Sequence, residues 1–263
     1  MIHNITILPG VDKSGKPENF DSLTLTAGET ISIVGPTGSG KTALITDIEL
    51  LAQRDTSTKR HILINDKAPD DVVRYDPTRK PIAMITQNTK CFADLSVEEF
   101  LKIHARARGI SDAAIISQTI KLANVFTGEK ISSVSRVTTL SGGQTRSLLI
   151  ADAILIGASP IILLDEIENA GIFKKNVINL IQGSGKIIVF VTHDPVIALS
   201  TQRRLIMENG GVRKVIEQSE MELKAANDLR EIDHRIGIIR EELRAGKIIT
   251  RSVANLHAIA PMH

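Results

Sequence analysis

The fold of this chain follows from one stretch of its sequence, Gly35-Pro36-Thr37-Gly38-Ser39-Gly40-Lys41-Thr42. The stretch fits the pattern G-x-x-x-x-G-K-[ST], whose glycines let the backbone wrap around a phosphate with its N–H groups pointing inward. An apolar run at residues 30–34 predicts a strand before it, and we expect a helix from residue 41 to about 53 after it. The helix N-terminus adds a partial positive charge. We therefore predict a nucleotide site in which Lys41 neutralises the β- and γ-phosphate oxygens and the Thr42 hydroxyl binds Mg²⁺.

Composition limits the classes of protein that remain. The chain has 263 residues, 42% of them hydrophobic and 24% charged, which is ordinary for a globular protein. A net charge of +2, no Trp and a single Tyr argue against a nucleic-acid partner. The single cysteine, Cys91, excludes an internal disulfide, favours a reducing compartment, and is expected to be a packed thiol. No apolar run approaches the roughly 20 residues that span a bilayer, so we expect a cytoplasmic chain without direct membrane insertion.

Strand and helix signals alternate along most of the chain, which predicts an α/β fold. The apolar runs at residues 161–164 and 187–191 are continuous, as in buried parallel strands. The other predicted strands lie at residues 23–25, 30–34, 62–64, 81–86, 205–208 and 212–216, the last two as a hairpin.

Two further stretches carry a helical pattern. The first runs from Ser96 to about residue 134, and Ser96 with Glu99 predicts a capping box at its start. The second begins at Ser141 and continues through Ile156.

The C-terminal residues 218–263 differ from the rest of the chain. A highly charged helical pattern there has an apolar seam with a period of about 3.5 residues. We predict a C-terminal helical extension, which either packs on its own domain or pairs with a partner. The seam residues are Ala225, Leu229, Ile232, Ile236, Ile239 and Leu243.

A second short motif, Leu140-Ser141-Gly142-Gly143-Gln144, lies at the start of one predicted helix. Ser141 is a good N-cap, and the glycines leave backbone N–H groups exposed at a helix start, which makes a second anion site. With this motif the chain resembles the ATP-binding-cassette (ABC) ATPases, whose signature motif is LSGGQ. The resemblance extends over about residues 21–216, in the family's order and spacing.

The resemblance implies an architecture and a partner. We expect a P-loop NTPase domain over residues 1–217, with a RecA-like mixed-sheet core, an antiparallel β subdomain and a helical signature subdomain at about residues 90–158. In this family two cassettes pair head to tail, and the signature of one closes over the ATP held by the other. We therefore expect the residues from Ser141 to Gln144 to contact ATP bound by a second cassette, in a homodimer or a heterodimer.

The resemblance also assigns catalytic roles. The predicted strand at residues 161–164 leads into Asp165, which matches the residue that holds Mg²⁺, and Glu166, which matches the general base that polarises the attacking water. Gln87 matches the glutamine that contacts Mg²⁺ and the attacking water. His193 matches the histidine that hydrogen-bonds the γ-phosphate. With these groups present, we expect ATP hydrolysis.

Three segments depart from the family pattern. Ile172 stands where the family has an aspartate at the contact between cassettes, within the segment Ile167-Glu168-Asn169-Ala170-Gly171-Ile172. The family's Gln-Arg after the signature is replaced by Arg146-Ser147, and its later Ala-Arg-Ala by Ala151-Asp152-Ala153. Communication between the two sites of a pair is therefore expected to differ from that of a typical transporter.

No residue near the N-terminus matches the aromatic side chain that stacks on adenine in this family. Ile7, Leu8 or Val11 would supply apolar contact only, and Phe20 is expected in the core. The preference for ATP over GTP is therefore open at the level of the sequence.

Two functions remain in competition. The first is the motor subunit of a membrane transporter, peripheral at the inner face of the cell membrane, with permease subunits supplied by other chains. The second is a soluble ABC ATPase that remodels or activates a partner protein or a metalloenzyme, which the segment after Glu166 and the C-terminal seam favour. A near-neutral charge argues against a DNA-repair cassette, and a small-molecule P-loop kinase would not explain the signature or His193.

Overall fold

A computed structural model describes residues 2–157, 159–167 and 184–250 of the chain. The chain divides into two units, Met1–Gln218 and Ser219–His263. Gln218, which the sequence places at the start of the extension, lies in the first unit. Its backbone N–H donates there to the carbonyl of Gln202 at 2.9 Å.

The first unit contains a six-stranded mixed sheet. Its strands are β3 (Thr30–Val34), β5 (Ile82–Ile85), β6 (Ile161–Asp165), β7 (Ile187–Val191), β8 (Arg203–Glu208) and β9 (Gly211–Glu217). They lie in the order β5-β6-β7-β3-β8-β9. All neighbouring pairs are parallel except β8 and β9, which form the predicted antiparallel hairpin. The predicted mixed-sheet core is confirmed.

A separate three-stranded sheet is antiparallel throughout, which confirms the predicted β subdomain. It consists of β1 (Asn4–Leu8), β2 (Leu23–Thr26) and β4 (His61–Ile64), in the order β2-β1-β4. Strand β1 was not predicted; Ile5 and Ile7 are buried in the core at alternating positions, and Thr6 between them is buried as well.

The sequence predicts three helical stretches in the first unit, and the described residues of this unit form six helices. They are α1 (Lys41–Glu49), α2 (Asp71–Tyr75), α3 (Val97–Ala107), α4 (Ala114–Phe126), α5 (Gly142–Leu155) and α6 (Pro195–Ser200). The prediction of one helical run from Ser96 to about residue 134 is wrong. Gly109 interrupts it with a φ of 70°, and α4 ends at Phe126, before an extended Thr127. The capping box of Ser96 and Glu99 is confirmed at the start of α3.

The helix after the phosphate loop is also shorter than the predicted span of 41 to about 53. It ends at Glu49, and Leu51 adopts a left-handed conformation with a φ of 51°. The Ala52 N–H then donates to the carbonyl of Asp47 at 2.9 Å, which closes the last turn of the helix.

Two apolar clusters cover opposite faces of the mixed sheet. Successive side chains of a strand point to opposite faces, so Leu163 and Leu164 of β6 belong to different clusters. Leu163 packs in one cluster with Leu44 of α1 and the antiparallel sheet. Leu164 packs in the other with Leu148 of α5 and with α3 and α4. The helices α1 and α5 therefore lie on opposite faces of the same sheet.

In the second unit, α7 spans Glu220–Arg244, where the seam predicts a helix. Four of the six seam residues are exposed, Ala225 and three large ones: Ile232 by 51%, Ile236 by 40% and Leu243 by 58%. Residues 251–263 of the predicted extension lie outside the described part of the chain.

Candidate nucleotide-binding site

Five parallel strands end at one edge of the mixed sheet, and four of them, β3, β5, β6 and β7, lead into predicted site residues. Their register is given by the pairs Ile33–Val191 and Val191–Asp165, and by the pairing of Leu164 with Ile85. In open α/β sheets, ligands bind outside the carboxyl ends of the strands. This edge is therefore where a bound ligand is expected.

The predicted site residues follow these strand ends. The phosphate loop follows β3, Gln87 follows β5, Asp165 ends β6 and Glu166 comes directly after it, and His193 follows β7. The sheet thus brings together groups that lie far apart in the sequence. Strand β7 lies between β6 and β3, so Glu166 and His193 both lie on the same side of the strand that leads into the phosphate loop.

The phosphate loop is closely packed and depends on glycine. Gly40 has a φ of 100°, and a Cβ atom there would lie 2.7 Å from the Cα atom of Gly210. The ammonium of Lys41 donates to the carbonyl of Gly35 at 2.8 Å and to that of Pro36 at 3.1 Å. These carbonyls hold the Lys41 cation inside the loop, where an incoming phosphate would be a stronger partner.

Two features of the loop fit an anion. Helix α1 begins after Gly40 without a side-chain cap, so the first-turn N–H groups keep their capacity to donate to a ligand. Ser39 is 4% exposed, and its Oγ atom has no hydrogen-bond partner among the described residues. Thr42 is exposed in the first turn of α1. Among the described residues, the Ser39 hydroxyl thus lacks a partner and α1 lacks a side-chain cap, as expected of a loop that binds phosphate.

The backbone changes direction at Glu166, directly after the end of β6. Its φ of 49° is left-handed, and its backbone N–H donates to the carbonyl of Val191 at 2.9 Å. A non-glycine residue in this region is uncommon and is often found at functional sites. His193 is exposed beyond the end of β7, and the neighbouring Asp194 caps α6 through its carboxylate.

Gln87 lies on an exposed turn after β5. Thr89 Oγ1 accepts from the backbone N–H of Thr86 at 2.8 Å, which closes the turn around Gln87. The guanidinium of Arg146 in α5 donates to the Gln87 carbonyl at 3.2 Å and to the Gly142 carbonyl at 2.9 Å. Burial lowers the pKa of Arg146. A single side chain therefore joins the turn that carries Gln87 to the first turn of the signature helix.

The signature motif forms a complete capping box. Ser141 Oγ accepts from the Gln144 N–H at 3.3 Å, and the Gln144 side chain accepts from the Ser141 N–H at 2.9 Å. The Ser141 hydroxyl donates to Glu129 Oε2 at 3.1 Å, and Gln144 Nε2 donates to the Lys130 carbonyl at 3.3 Å. Ser141 and Gly142 are exposed.

The oxygen atoms at the sheet edge are of the kind that Mg²⁺ prefers. Thr42 offers a hydroxyl, Gln87 an amide oxygen and Asp165 a carboxylate. One carboxylate with a hydroxyl and an amide oxygen fits a magnesium ion that is held together with substrate phosphates.

Sequence reasoning missed two residues of the site and misplaced a third. No spacing or motif signals the contacts of Arg146 with Gln87 or of Glu129 with Ser141, since each depends on the fold. Ile7, expected as an apolar contact for the base, is 1% exposed inside the core and is not available. Leu8 and Val11 are half-buried, and Phe20 packs against the core as expected. The segment of residues 168–172, including Ile172, lies outside the described residues.

A separate polar pair lies in the helical region. His104 Nδ1 and Asp152 Oδ2 are 2.9 Å apart, and this hydrogen bond raises the pKa of His104 against the opposing effect of burial. Cys91 is half-buried against the apolar cluster, and burial raises the pKa of its thiol. The packing against the cluster confirms the predicted packed thiol, and a raised pKa disfavours the reactive thiolate.

In the described part of the chain, no helix is long and apolar enough to cross a membrane. A family model described as "ABC transporter" matches residues 19–169. An uncharacterized ABC transporter ATP-binding protein of Methanocaldococcus jannaschii, MJ0121, is 47% identical over 97% of this chain and 98% of its own length. The thiamine import ATP-binding protein ThiQ of Brucella suis is 29% identical, over 84% of this chain and 90% of its own length.

A comparison with solved structures also finds ATP-binding cassettes of similar fold. A dimeric structure of the ATP-binding cassette MJ0796, in a post-hydrolysis state bound to ADP and Pi, matches with a TM-score of 0.64. It is 24% identical and covers 82% of this chain and 99% of that one. The fold of this chain is therefore that of an ATP-binding cassette.

Proposed function

Because this chain belongs to the ABC transporter family of ATP-hydrolysing proteins, we propose that it is the motor subunit of a membrane transporter. Two copies pair head to tail, bind ATP and Mg²⁺ between them, and close; hydrolysis reopens the pair. Permease subunits, supplied by other chains, hold the pair at the inner face of the cell membrane. The chain itself stays in the cytoplasm.

The observation that carries the pairing is the position of the two helices that follow the two anion-binding motifs. Helix α1 follows the phosphate loop and packs on one face of the mixed sheet, whereas α5 follows the signature and packs on the other. The two N-termini therefore belong to helices that pack on opposite faces of the sheet. This arrangement supports a γ-phosphate held by the loop of one copy and the signature of another.

The chemistry follows from the groups at the sheet edge. Lys41 and the loop N–H groups bind and orient the phosphates, and a phosphate displaces the loop carbonyls that now accept from Lys41. Glu166 accepts a proton from the attacking water, while Gln87 and His193 position the water and the γ-phosphate. Thr42, Asp165 and Gln87 would hold Mg²⁺, which would supply positive charge to neutralise the phosphates.

The transport role is supported by the names of the relatives. ThiQ is named as an import ATP-binding protein, and MJ0121 as an ABC transporter ATP-binding protein. The alternative of a soluble remodelling ATPase receives no support from these relatives. The pairing with a second copy is supported by the dimeric structure of MJ0796.

Affinity purification from detergent-solubilised membranes of the source cells tests the transport role. We expect the tagged chain to recover proteins with several membrane-spanning segments in constant ratio. A tagged, unrelated cytoplasmic ATPase is the control for detergent carry-over. Recovery of soluble partners alone, at the same yield as from a membrane-free extract, would support the remodelling alternative instead.

A further inference from the structure

Behind the phosphate loop lies a buried ion cluster of three residues, Arg60, Glu18 and Asp47, here called the Arg60 cluster. The side chains of Arg60 and Glu18 are 0% exposed and that of Asp47 is 3% exposed. Arg60 Nε and Nη2 donate to the two oxygens of Glu18 at 2.9 and 2.8 Å, and Nη1 donates to Asp47 Oδ2 at 2.9 Å. The guanidinium therefore forms a bidentate pair with Glu18 and a further bond to Asp47, a geometry that a lysine could not reproduce.

The cluster joins segments that are distant in the sequence. Glu18 accepts from the backbone N–H of Gly10 at 3.0 Å and from that of Val212 at 2.7 Å. Arg60 Nη2 also donates to the Gly210 carbonyl at 2.8 Å. The N-terminal loop, helix α1, the segment before β4 and the β8–β9 turn therefore meet at one guanidinium.

Stability alone does not account for this arrangement. Replacing a buried ion pair by apolar side chains of similar volume is often neutral or stabilising, because removing the charges from water costs free energy. What a fully hydrogen-bonded cluster provides is a fixed geometry of the segments that it joins. The question is therefore which segment needs a fixed position.

The phosphate loop is the segment that these contacts hold. Asp47 lies on α1, which begins at Lys41, so the cluster fixes the helix that follows the loop. Gly210, which accepts from Arg60, donates its own N–H to the carbonyl of Ser39 at 2.8 Å. The approach of Gly40 to Gly210 leaves no room for a Cβ atom. The loop is thus held both at its helix and along its outer side.

Lys13 of the N-terminal loop adds a third contact. Its ammonium donates to the carbonyl of Gly38 at 2.7 Å, and its backbone N–H donates to the carbonyl of Asn209 at 2.9 Å. The N-terminal loop that Glu18 anchors is therefore bound directly to the phosphate loop. Lys13 is exposed, so this contact can be altered without disturbing the core.

We propose that Arg60 is a positioning residue for nucleotide binding, and that the Arg60 cluster, with Lys13, holds the phosphate loop in its binding shape before ATP arrives. The inference rests on the proposed ATP site. A loop that is ordered in advance spares the nucleotide the entropy cost of ordering it. Disturbing the cluster should therefore weaken ATP binding while leaving the hydrolytic step unchanged once ATP is bound.

The test compares Arg60→Lys with the wild-type chain in ATP affinity, measured by calorimetry, and in kcat and KM for hydrolysis. Lysine keeps the charge but loses the fork on Glu18. We expect ATP affinity to fall about tenfold and KM to rise with it, with kcat within about twofold of wild type. A folded Arg60→Lys with wild-type affinity and KM, whatever its melting temperature, overturns the proposal.

Lys13→Met keeps the inference testable if Arg60→Lys does not fold. Lys16→Met is its matched control, because Lys16 lies on the same exposed loop and, among the described hydrogen bonds, it is the Lys13 ammonium and not that of Lys16 that donates to the phosphate loop. We expect about a threefold loss of ATP affinity in Lys13→Met and none in Lys16→Met. Equal affinities in the two variants would then overturn the proposal. Failure of the wild-type chain to bind ATP would instead reject the proposed function.

Discussion

The hydroxyl of Ser141 donates to Glu129 Oε2 at 3.1 Å, so a carboxylate of the same chain occupies the donor of the signature serine. Both residues are exposed: Ser141 caps the start of α5, and Glu129 lies on the segment that follows α4. If Ser141 contacts the γ-phosphate held by a second copy, it must first release Glu129. The carboxylate also adds a negative charge where a phosphate would arrive.

Replacing Glu129 by Ala should therefore favour pairing. The Ser141 hydroxyl would keep its capping role through its oxygen, and its proton would be open to the partner's γ-phosphate. We expect the ATP concentration that gives half-maximal pairing to fall about threefold, the scale of one exchanged hydrogen bond. Analytical ultracentrifugation across an ATP series measures it. Glu98→Ala, which removes a carboxylate bonded to Lys102 on α3, is the control and should leave that concentration unchanged.

Arg146→Gln tests the link between the turn of Gln87 and the signature helix. The shorter side chain should lose the bond to the Gln87 carbonyl, so that the turn is no longer held to α5. We expect turnover at saturating ATP to fall about tenfold, with ATP affinity nearly unchanged, because the phosphate loop does not contact Arg146 in the described structure. Stopped assays of phosphate release, with ATP affinity measured in parallel, separate the two effects.

Arg136→Gln is the matched control for this experiment. Arg136 is exposed and donates to the carbonyl of Asp94, downstream of Gln87 on the same segment. It should retain wild-type turnover. If Arg146→Gln hydrolyses ATP as fast as Arg136→Gln, the contact with Gln87 has no part in catalysis.

The pair of His104 and Asp152 predicts a pH-dependent stability of the helical region. The hydrogen bond to Asp152 raises the pKa of His104 above its usual value of 6.5, so the folded state favours the protonated ring. The stabilisation is fully present below the unfolded pKa and is lost as pH rises through the raised folded pKa. We expect His104→Gln to lower the melting temperature more at about pH 6 than at about pH 9. An equal loss at both values would show that the pair contributes no charge-dependent stability.

Deleting Ser219–His263 tests the separation of the two units. The ATP-site residues all lie in Met1–Gln218, and Gln218 is bonded within that unit, so the shortened chain should fold and bind ATP with nearly wild-type affinity. Calorimetric titration with ATP measures this. Loss of ATP binding in a folded, shortened chain would place the extension in the function of the site.

The strand ends were predictable from sequence because long apolar runs and short motifs mark them. The runs at residues 161–164 and 187–191 became β6 and β7, and the loops after them carry Glu166 and His193. Helix ends were less well predicted, because a helical pattern can continue through a residue that ends a helix. Gly109 follows α3 with a φ of 70°, and the Ile110 N–H donates to the carbonyl of Ala105 at 2.9 Å, which closes that helix locally.

The contacts that join distant segments were beyond sequence reasoning. Arg60 lies just before a predicted strand, and nothing near it in sequence suggests that it is buried with Glu18 and Asp47. Arg60 is buried because four segments that are distant in the sequence meet around it. No sequence motif or fixed spacing links these segments. Ile7 illustrates the same limit, because its alternation with Ile5 places it in the core rather than beside a nucleotide base.

The most direct test of head-to-tail pairing uses Glu166→Gln, in which the loss of the base should stop turnover while ATP binding remains. The mass of this variant is measured by light scattering with and without ATP and Mg²⁺. The control is a double variant that combines Glu166→Gln with Ser141→Arg, which blocks the signature motif but leaves the phosphate loop intact. We predict the mass of two chains only with ATP in Glu166→Gln, and of one chain in the double variant although it still binds ATP. The account would be contradicted if the double variant paired as readily as Glu166→Gln, or if Glu166→Gln remained a single chain with ATP bound.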